Sequence, residues 1–472
     1  MADPRIPSLL LLLLFLHLLS TSFSLFSPVD NLLISCGSTS VSTLDDHRVF
    51  IPDSTPSPSF HLSSSHPISL SDPSISSPLY RTARIFTSPS TYTFRISHPG
   101  HHLIRLHFHP FSTPSFNLSS ALFHVSTSNL VLLSNFNPAD LPGPILREFI
   151  IRSPSDELIL SFTPASQSTF AFVNAIEVFS APADLVPAIA RLVSPDHVQF
   201  YDLVSSQALE TLYRINVGGL KVTPFNDTLW RTWIPDSKFL TSNSQTKIVT
   251  FSGRINYREH RASREVVPDN VENTARVLEI KSNMTWAFDV SAGYQYFIRM
   301  HFCDIASLVL NELYFNIYIN GYSAYEDFDL SDATSQFLAS PFYMDFVTDV
   351  VNSSGVLTVS IGASNFSSPS WVQGMLNGLE IMKMNNTVGS FDGEFPVSAI
   401  FVKPEKGFFG EFARWFVCGL GFISLFSIVF MLVLRLRAEA WNALAWSRLP
   451  TEVPEGKPAK GNLMLTSKFI FS

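Results

Sequence analysis

Residues 104–108 read IRLHF, and residues 298–302 read IRMHF. In both segments apolar residues alternate with Arg and His, which places the apolar side chains on one face and the basic side chains on the other. This alternation is typical of a β-strand with one buried face. Each segment therefore predicts a strand that covers a core, and their near identity predicts that the core occurs twice.

Two more matched pairs extend the duplication. Residues 82–85 (TARI) correspond to residues 274–277 (TARV), and residues 174–177 (NAIE) correspond to residues 377–380 (NGLE). The pairs follow one order at nearly constant separation, which indicates a duplicated domain with longer loops in the second copy.

The remainder of both copies favours short strands. Apolar residues alternate in residues 315–319, which end at an Asn-Gly turn dipeptide, and in residues 357–361, which lie between glycines. Residues 52–78 are crowded with Pro and Ser, as in a surface loop. No long helical periodicity occurs inside either copy. The sequence therefore predicts an all-β fold of two tandem β-sandwich domains of the jelly-roll kind.

The composition indicates a secreted, glycosylated protein. At 472 residues the chain exceeds one ordinary domain, and its 42 Phe supply large cores. Only 15% of its residues are charged, against about 25% in typical proteins, so attached sugars are expected to help solvate the surface. The net charge of −8 gives no basic surface for nucleic acid. Six Asn-x-Ser/Thr sequons predict N-glycosylation, at Asn117, Asn226, Asn283, Asn352, Asn365 and Asn385.

Apolar segments near both ends of the chain predict membrane targeting. Arg5, an apolar run over residues 9–19 and small residues up to Ser24 have the layout of a signal peptide. Residues 415–434 are uncharged and mostly apolar, with the ~20-residue length that crosses a bilayer. Basic residues follow this segment, which places its C-terminal side in the cytoplasm. The sequence predicts a single-pass plasma-membrane protein with an extracellular N-terminus.

The segment between the two copies has apolar residues at roughly helical spacing and is expected to connect the domains. The tail after the predicted span is shorter than the ~50 residues of the smallest domains, so it is not expected to hold an enzyme. The predicted order is a signal peptide (1–24), a first sandwich domain (28–180), the connector (181–210), a second sandwich domain (211–388), a stalk (389–414), a transmembrane helix (415–434) and a short cytoplasmic tail (435–472).

Catalytic signatures do not occur in the sequence. It has no Gly-rich phosphate loop, His-Arg-Asp catalytic loop, Gly-x-Ser-x-Gly elbow or catalytic-cysteine signature. Glu177 and Glu380 are equivalent residues of the two copies, and separate domains do not easily bring two carboxylates within the ~5–10 Å of a glycosidase site. Both are expected to be structural, and the protein is not expected to be an enzyme.

Two clusters have metal-binding chemistry. His107 and His109 lie two apart on one strand face, as zinc ligands can, but the second copy keeps only the first of them, so a structural role is expected. Glu326, Asp327 and Asp329 offer carboxylate oxygens of the kind that bind calcium, and a solvated loop is the preferred interpretation. No metal or cofactor is predicted.

One stretch carries a family resemblance. Residues 205–219 (SSQALETLYRINVGG) and 224–233 (PFNDTLWRTW) closely resemble the ectodomains of plant malectin-like receptor kinases of the FERONIA and THESEUS group. Residues 30–38 and 377–381 agree with that group as well, so the resemblance covers roughly residues 28–385. It implies tandem malectin-like domains that sense the state of the cell wall or secreted peptide signals in growth, fertilisation or immunity.

Members of that group continue beyond the membrane into a Ser/Thr kinase. This sequence ends soon after residues 446–450 (WSRLP), which look like the beginning of the juxtamembrane segment. Two interpretations stay open. The chain is a receptor-like protein without a kinase, which works as a decoy or through a partner, or it is the truncated product of a full-length receptor kinase gene.

Ligand binding is expected at the cleft between the domains. The resemblance implies a secreted peptide or a cell-wall polysaccharide as the ligand, with a membrane-anchored co-receptor or a kinase-bearing paralogue as a partner. A wall-to-membrane tether that relays no signal is the alternative. Sugar binding needs exposed aromatic rings, although aromatic residues of a Phe-rich sandwich are usually core. The candidates are Tyr257, Tyr294, Tyr296, Trp230, Trp233 and Trp371.

Two cysteines lie in the oxidising compartment. Cys418 falls within the predicted span, which leaves Cys36 and Cys303 outside the membrane. They either form a disulfide that bridges the domains or remain two buried thiols, and the sequence leaves both alternatives open.

Overall fold

The computed structural model describes residues 26–139, 143–241, 246–258, 262–351, 354–367, 372–400 and 424–439. The chain divides into two compact units at Phe401/Val402. Several predicted features lie outside the described residues: the signal peptide, the stalk beyond residue 400, residues 415–423 of the predicted span, the tail beyond residue 439, Asn352 and Trp371.

Short strands make up the N-terminal half of the first unit. They are β1 (Asn31–Ser35), β2 (Ser42–Thr43), β3 (Val49–Pro52), β4 (Phe60–Ser63), β5 (Ile68–Ser71), β6 (Thr82–Phe86), β7 (Ser90–Arg95), β8 (Gly100–Phe108), β9 (Phe123–Ser126), β10 (Val131–Phe136), β11 (Ile145–Ser153), β12 (Glu157–Pro164), β13 (Ala171–Val173) and β14 (Ala175–Ser180).

The C-terminal half begins with a hairpin and continues as strands. They are β15 (Ala190–Val193), β16 (Val198–Tyr201), β17 (Leu209–Asn216), β18 (Ile234–Pro235), β19 (Thr246–Thr250), β20 (Thr274–Leu278), β21 (Asn283–Asp289), β22 (Tyr296–Cys303), β23 (Tyr314–Ile319), β24 (Tyr322–Asp329), β25 (Pro341–Thr348), β26 (Val356–Ala363), β27 (Gly374–Leu376) and β28 (Gly378–Met384). The α-helices of this unit's described residues are single turns, at Asp269–Glu272, Leu330–Ala333 and Val397–Ile400.

One main sheet runs through both halves. Across the described residues it has 13 strands in the order β16-β15-β25-β22-β28-β17-β11-β8-β14-β1-β3-β2, with β18 beside β17. The halves join where β11 pairs antiparallel with β17, which sets Phe149 opposite Glu210. Smaller sheets are formed by β10-β9-β12-β7-β4 and β13-β6-β5 in the N-terminal half and by β21-β26-β23-β24 and β19-β20-β27 in the C-terminal half. The all-β prediction is confirmed.

Each half has its own core between the main sheet and its smaller sheets. Ile104, Leu106 and Phe108 of β8 are fully buried with aromatic residues of β7, β9 and β12. Met300 and Phe302 of β22 pack in the same way in the C-terminal half. Burial of one such side chain stabilises the fold by about 1.5–3 kcal/mol. The alternation in these two strands therefore predicted the buried face correctly.

The two halves repeat one arrangement of contacts. The Gly37 N–H donates to Asp53 at 3.0 Å, and the Gly218 N–H donates to Asp236 at 3.1 Å. Arg84 donates to both carboxylate oxygens of Asp53, and Arg276 donates to both carboxylate oxygens of Asp236. The two glycines have φ of 75° and 70°, and a Cβ at either position would lie within 2.5 Å of an Ala carbonyl oxygen. Only glycine fits this close approach.

The connector, residues 181–210, forms strands and a turn, although its apolar residues have roughly helical spacing. It forms β15, β16 and a 3-10 turn at Val204–Ser206. Strand β15 pairs in parallel with β25, so the connector extends the main sheet at its C-terminal edge. Leu185 and Val186 pack on the sheet face opposite the two cores. Burial against that face, and not a helix, explains the spacing of the apolar residues.

The second unit is described over residues 424–439, which are helical and overlap the predicted span at residues 415–434. Within the described part of the chain, no helix has both the length and the apolar character of a membrane span.

Candidate ligand groove

The main sheet carries a row of buried charges on the face opposite the two cores, here called the charge ladder. Its members alternate in sign across neighbouring strands, from β14 through β8, β11, β17, β28 and β22 to β25. They are Glu177, Arg105, Glu148, Arg214, Glu380, Arg299 and Asp345, and each is less than a tenth exposed.

Arg214 joins the two halves within the charge ladder. Its Nη2 donates to Glu148 Oε1 of the N-terminal half at 2.7 Å, and its Nε donates to Glu380 Oε2 of the C-terminal half at 2.7 Å. Glu148 also accepts from Arg105 at 2.6 Å. Burial favours a higher pKa for Glu148, but Arg214 and Arg105 outweigh it and lower the pKa to about 2. Because an unpaired buried charge is costly, the ladder holds the two halves together.

Glu177 and Glu380 occupy equivalent places in the ladder. Glu177 accepts from Arg105 at 3.1 Å and lies 2.7 Å from His107 Nε2, while Glu380 lies 3.1 Å from His301 Nε2. Burial opposes ionisation, but the neighbouring Arg and His side chains lower the pKa of both carboxyls. Both side chains are fully buried and paired, which agrees with the structural role expected from their equivalence.

A loop of the C-terminal half lies over the ladder. Its Leu229 carbonyl accepts from Arg105 at 2.8 Å, which ties the loop to the N-terminal half. Within the loop, buried Arg231 pairs with Asp227 at 2.9 Å. The inner residues of the loop are thus fixed on the ladder, and its outer residues border a groove between the two halves.

The groove has two sections that share Asp46, Pro224 and Phe225. The wide section has a volume of about 810 Å³ and is lined by residues 43–46 and 76–78 of the N-terminal half and residues 223–225 of the C-terminal half. Asp45 is exposed, and the Phe225 side chain is 63% exposed. The wide section therefore offers a ligand the exposed carboxylate of Asp45 beside an aromatic ring.

The narrow section has a volume of about 490 Å³. Trp230 lies there with φ of +55°, a backbone region in which bulky residues are strained. Its ring packs edge-on against Phe179, with ring centroids 5.5 Å apart. Strained residues of this kind cluster at ligand-binding positions. The lining also includes Phe26, Asn226, Arg264, Asp269 and Asn270.

The aromatic candidates for sugar binding do not share one environment. Trp233 and Tyr296 are fully buried, so they belong to the packed interior. Trp230, Tyr257 and Tyr294 are half-buried. Within the described residues, Trp230 is the candidate that lines the groove.

The histidine and carboxylate clusters are engaged in other contacts. Both ring nitrogens of His107 have partners, Glu177 for Nε2 and the Tyr80 hydroxyl for Nδ1 at 3.0 Å. Asp329 caps the helix Leu330–Ala333, and Asp327 accepts from the Ser364 hydroxyl. Among the described residues, no group of three or more His, Cys, Asp or Glu could hold a metal ion.

Cys36 and Cys303 are free thiols in the structure. Cys36 lies in the N-terminal core, whereas Cys303 packs in a separate cluster with Ile255 and Ala339. Burial raises the pKa of both thiols. The structure thus has two buried thiols in different clusters, without a bond between them.

The sequons differ in accessibility. Asn385 is half-buried, its Oδ1 accepts from the Ala208 N–H at 2.8 Å, and its Nδ2 donates to the Asn386 carbonyl at 3.0 Å. The other described sequons present exposed side chains, at Asn117, Asn226, Asn283 and Asn365. Glycosylation at these positions stays a prediction.

Comparison with known proteins identifies the family. The model of the malectin-like domain matches residues 34–384, which include the charge ladder and most of the groove. This chain belongs to the malectin-like family. The resemblance to receptor kinases of the FERONIA and THESEUS type is confirmed.

Curated relatives of this malectin-like chain are receptor-like kinases of Arabidopsis thaliana. Receptor-like protein kinase HERK 1 is 40% identical over 86% of this chain and 48% of its own length. Receptor-like protein kinase THESEUS 1 is 39% identical over 83% of this chain and 46% of its own length. The chain therefore spans about half the length of the curated relatives it matches.

Solved malectin-like structures have the same fold. The ANXUR1 extracellular domain from Arabidopsis thaliana is 32% identical with a TM-score of 0.68, covering 77% of this chain and 99% of that one. The complex of the plant peptide RALF23 with FER and LLG2 contains a chain that is 30% identical with a TM-score of 0.66, covering 78% of this chain and 99% of that one. The matched region is a malectin-like ectodomain, which is not catalytic.

Sequence reasoning identified some of these residues and missed others. It singled out Glu177, Glu380 and Trp230, but it missed the bridging residue Arg214 and the groove residue Asp45. Arg214 had a usable signal, since a charged residue on an alternating strand of the repeat is a candidate partner for a buried carboxylate. Asp45 had none, because only the fold brings it beside the second half.

Proposed function

We propose that this malectin-like chain is a cell-surface receptor-like protein that binds a secreted peptide in the groove between its two halves. One observation carries the proposal: loops of both halves line a single groove, and Arg214 of the buried ladder beneath it binds both halves. A solved complex of a related ectodomain contains the peptide RALF23 and the protein LLG2, which supports a peptide ligand and a co-receptor.

The lining of the wide section suggests the chemistry of the ligand. Asp46 pairs with Arg48 at 2.8 Å, whereas Asp45 is exposed and has no ion-pair partner among the described residues. Phe225 lines the same section as Asp45 and presents an exposed ring there. A peptide segment with a Lys or Arg next to an apolar side chain would satisfy both features. Because the ladder already fixes the walls, little ordering entropy is lost on binding.

We also propose the wider organisation expected from the sequence. The malectin-like domains are residues 28–180 and 211–388, joined by the connector at 181–210. A cleaved signal peptide and a transmembrane helix at 415–434 place the groove outside the plasma membrane. Signalling then passes through a co-receptor or a kinase-bearing paralogue.

Binding of RALF23 tests the proposed function. The full-length chain is purified from plant cells in mild detergent, and its affinity for RALF23 is measured by biolayer interferometry with and without LLG2. We expect Asp45→Lys and Phe225→Ser each to weaken binding about tenfold or more, because each removes a contact at the groove centre. Asp156→Lys and Phe200→Ser are matched controls at exposed positions outside the groove, and they should bind like the parent chain. Equal affinity of the groove variants and the controls would contradict the proposal.

A wall-polymer tether is the second candidate function, and half-buried Trp230 in the groove is the observation that favours it. In that case the chain would bind a pectin-like polymer, Trp230→Ala would abolish this binding, and no kinase-bearing partner would be recovered with the chain. Recovery of such a partner only in the presence of RALF23 would instead support the receptor.

A further inference from the structure

The sequon at residues 226–228 lies on the wall of the narrow section. Asn226 ends the 3-10 turn Pro224–Asn226, is exposed, and is itself part of the lining. Its side-chain amide has no hydrogen-bond partner among the described residues, in contrast to the amide of Asn385. A sugar attached to Asn226 would therefore start at the mouth of the groove.

The hydroxyl of Thr228 gives an independent indication. It is buried and has no hydrogen-bond partner among the residues that the structure describes. A buried hydroxyl without a partner costs stability, so the fold gains nothing from Thr in place of an apolar residue here. The sequon needs Ser or Thr at this position. Since the hydroxyl is hidden in the folded chain, transfer of the sugar has to precede folding of this loop.

The narrow section has the chemistry of a sugar-binding surface. Sugars present apolar C–H faces, which pack against aromatic rings, and hydroxyl groups, which need donors and acceptors. The rings of Phe225 and Trp230 lie on either side of Asn226 in the chain, and both line this section. Asp269 and Arg264, paired at 3.1 Å and each partly exposed, supply an acceptor and donors.

We propose that an N-linked glycan on Asn226 lies in the narrow section over Trp230 and closes that section to other ligands. The wide section, which has Asp45 and residues 76–78 in its lining and not Asn226, is left as the entry for the ligand. The second part of this inference rests on the proposed function, whereas the position of the glycan does not.

Glycopeptide mass spectrometry and hydroxyl-radical footprinting test the position of the glycan. The full-length chain is produced in plant cells as the parent and as Asn226→Gln, Thr228→Ala and Asn365→Gln. Thr228→Ala keeps Asn226 and removes a hydroxyl that bonds to nothing, so it separates loss of the glycan from damage to the loop. Asn365→Gln removes a sequon outside the groove. Phe200 is the internal reference, because it is 76% exposed and lies outside the groove.

We expect Asn226 to carry a glycan in the parent chain, with Trp230 largely protected from oxidation. In Asn226→Gln and Thr228→Ala, oxidation of Trp230 should rise, whereas Asn365→Gln should match the parent. An unmodified Asn226, or equal oxidation of Trp230 in all four chains, would overturn the proposal.

RALF23 binding distinguishes this inference from the proposed function. We expect the two glycan-free chains to bind RALF23 at least as well as the parent, since the wide section is unchanged. If no chain binds RALF23, the receptor proposal fails while the footprint still decides the position of the glycan. If binding requires the glycan, the assignment of the wide section as the ligand entry is wrong.

Discussion

Replacement of Arg214 by Met removes the side chain that joins the two halves across the charge ladder. Arg214 donates to one carboxylate of each half, Glu148 and Glu380, both at 2.7 Å. Met has a similar length and no charge, so the substitution removes the pairing with little change of volume. Glu148 and Glu380 then lose the cation that they share.

The cost follows from the burial of the ladder. Removal of one partner from a buried ion pair typically destabilises a protein by about 3–5 kcal/mol, because it leaves an uncompensated charge in the interior. Glu148 keeps Arg105, and Glu380 keeps His301, so we expect a loss of about 3–4 kcal/mol. Such a loss is a large part of the ~5–15 kcal/mol that stabilises a typical domain. Arg214→Lys keeps the charge without the forked geometry and should cost less.

Urea unfolding of the full-length chain in mild detergent measures this loss, with tryptophan fluorescence as the signal. Trp233 and Trp286 are fully buried in the C-terminal half, so their emission reports its unfolding. Lys247→Met is the matched control, because Lys247 pairs with Glu279 at 3.4 Å on the surface with both side chains more than half exposed. An exposed pair of this kind contributes at most about 1 kcal/mol.

If Arg214→Met shifted the urea midpoint no more than Lys247→Met, the charge ladder would not hold the two halves together. The same conclusion would follow if Glu148→Gln, which removes the charge of one partner, destabilised the Arg214→Met chain as much as it destabilises the parent chain. The double variant leaves fewer unpaired charges, so it should be less destabilised than the sum of its single variants.

Three further outcomes are expected. The pKa of Glu148 is lowered from 4.5 to about 2. Its contribution to stability is therefore complete above pH 4.5 and is lost as the pH falls toward 2. A urea midpoint that already declines between pH 7 and pH 5 would contradict this expectation. Glu272 is fully buried, its oxygens have no hydrogen-bond partner within the described part of the chain, and burial raises its pKa well above the usual value. Stability is therefore lost as the pH rises above 4.5. Glu272→Gln should raise the urea midpoint at pH 7.5 and leave it unchanged at pH 4. A midpoint that is unchanged at both pH values would contradict this expectation. Asn385→Ala should lower the urea midpoint more than Asn365→Ala, because the Asn385 amide is hydrogen-bonded at both ends within the fold and Asn365 is exposed; equal midpoints of the two variants would contradict this.

The sequence patterns predicted those features of the fold that depend on a single strand. The alternation at residues 104–108 and 298–302 identified both the strands and their buried faces, because successive side chains of a strand point to opposite faces of the sheet. The equivalence of Glu177 and Glu380 predicted matched surroundings, and each has an Arg and a His as partners.

Features that depend on pairing between distant strands could not be predicted in this way. The bridge made by Arg214 requires β17 to lie beside β11, and no local pattern specifies which strands of two similar sandwiches become neighbours. The spacing of the apolar residues in the connector was misleading for a related reason. Apolar residues that pack against a sheet face can have the same spacing as those of a helix. The groove likewise depends on the fold, since Asp45 and Phe225 meet only after the halves are joined.

Hydrogen exchange of the full-length chain with RALF23 and LLG2 shows whether the groove is the site of recognition. We expect backbone amides in residues 43–46, 76–78 and 223–225 to exchange more slowly when the peptide is bound, and we expect Asp45→Lys to abolish this protection. Protection confined to other surfaces, with unchanged exchange in these three segments, would show that the peptide binds elsewhere.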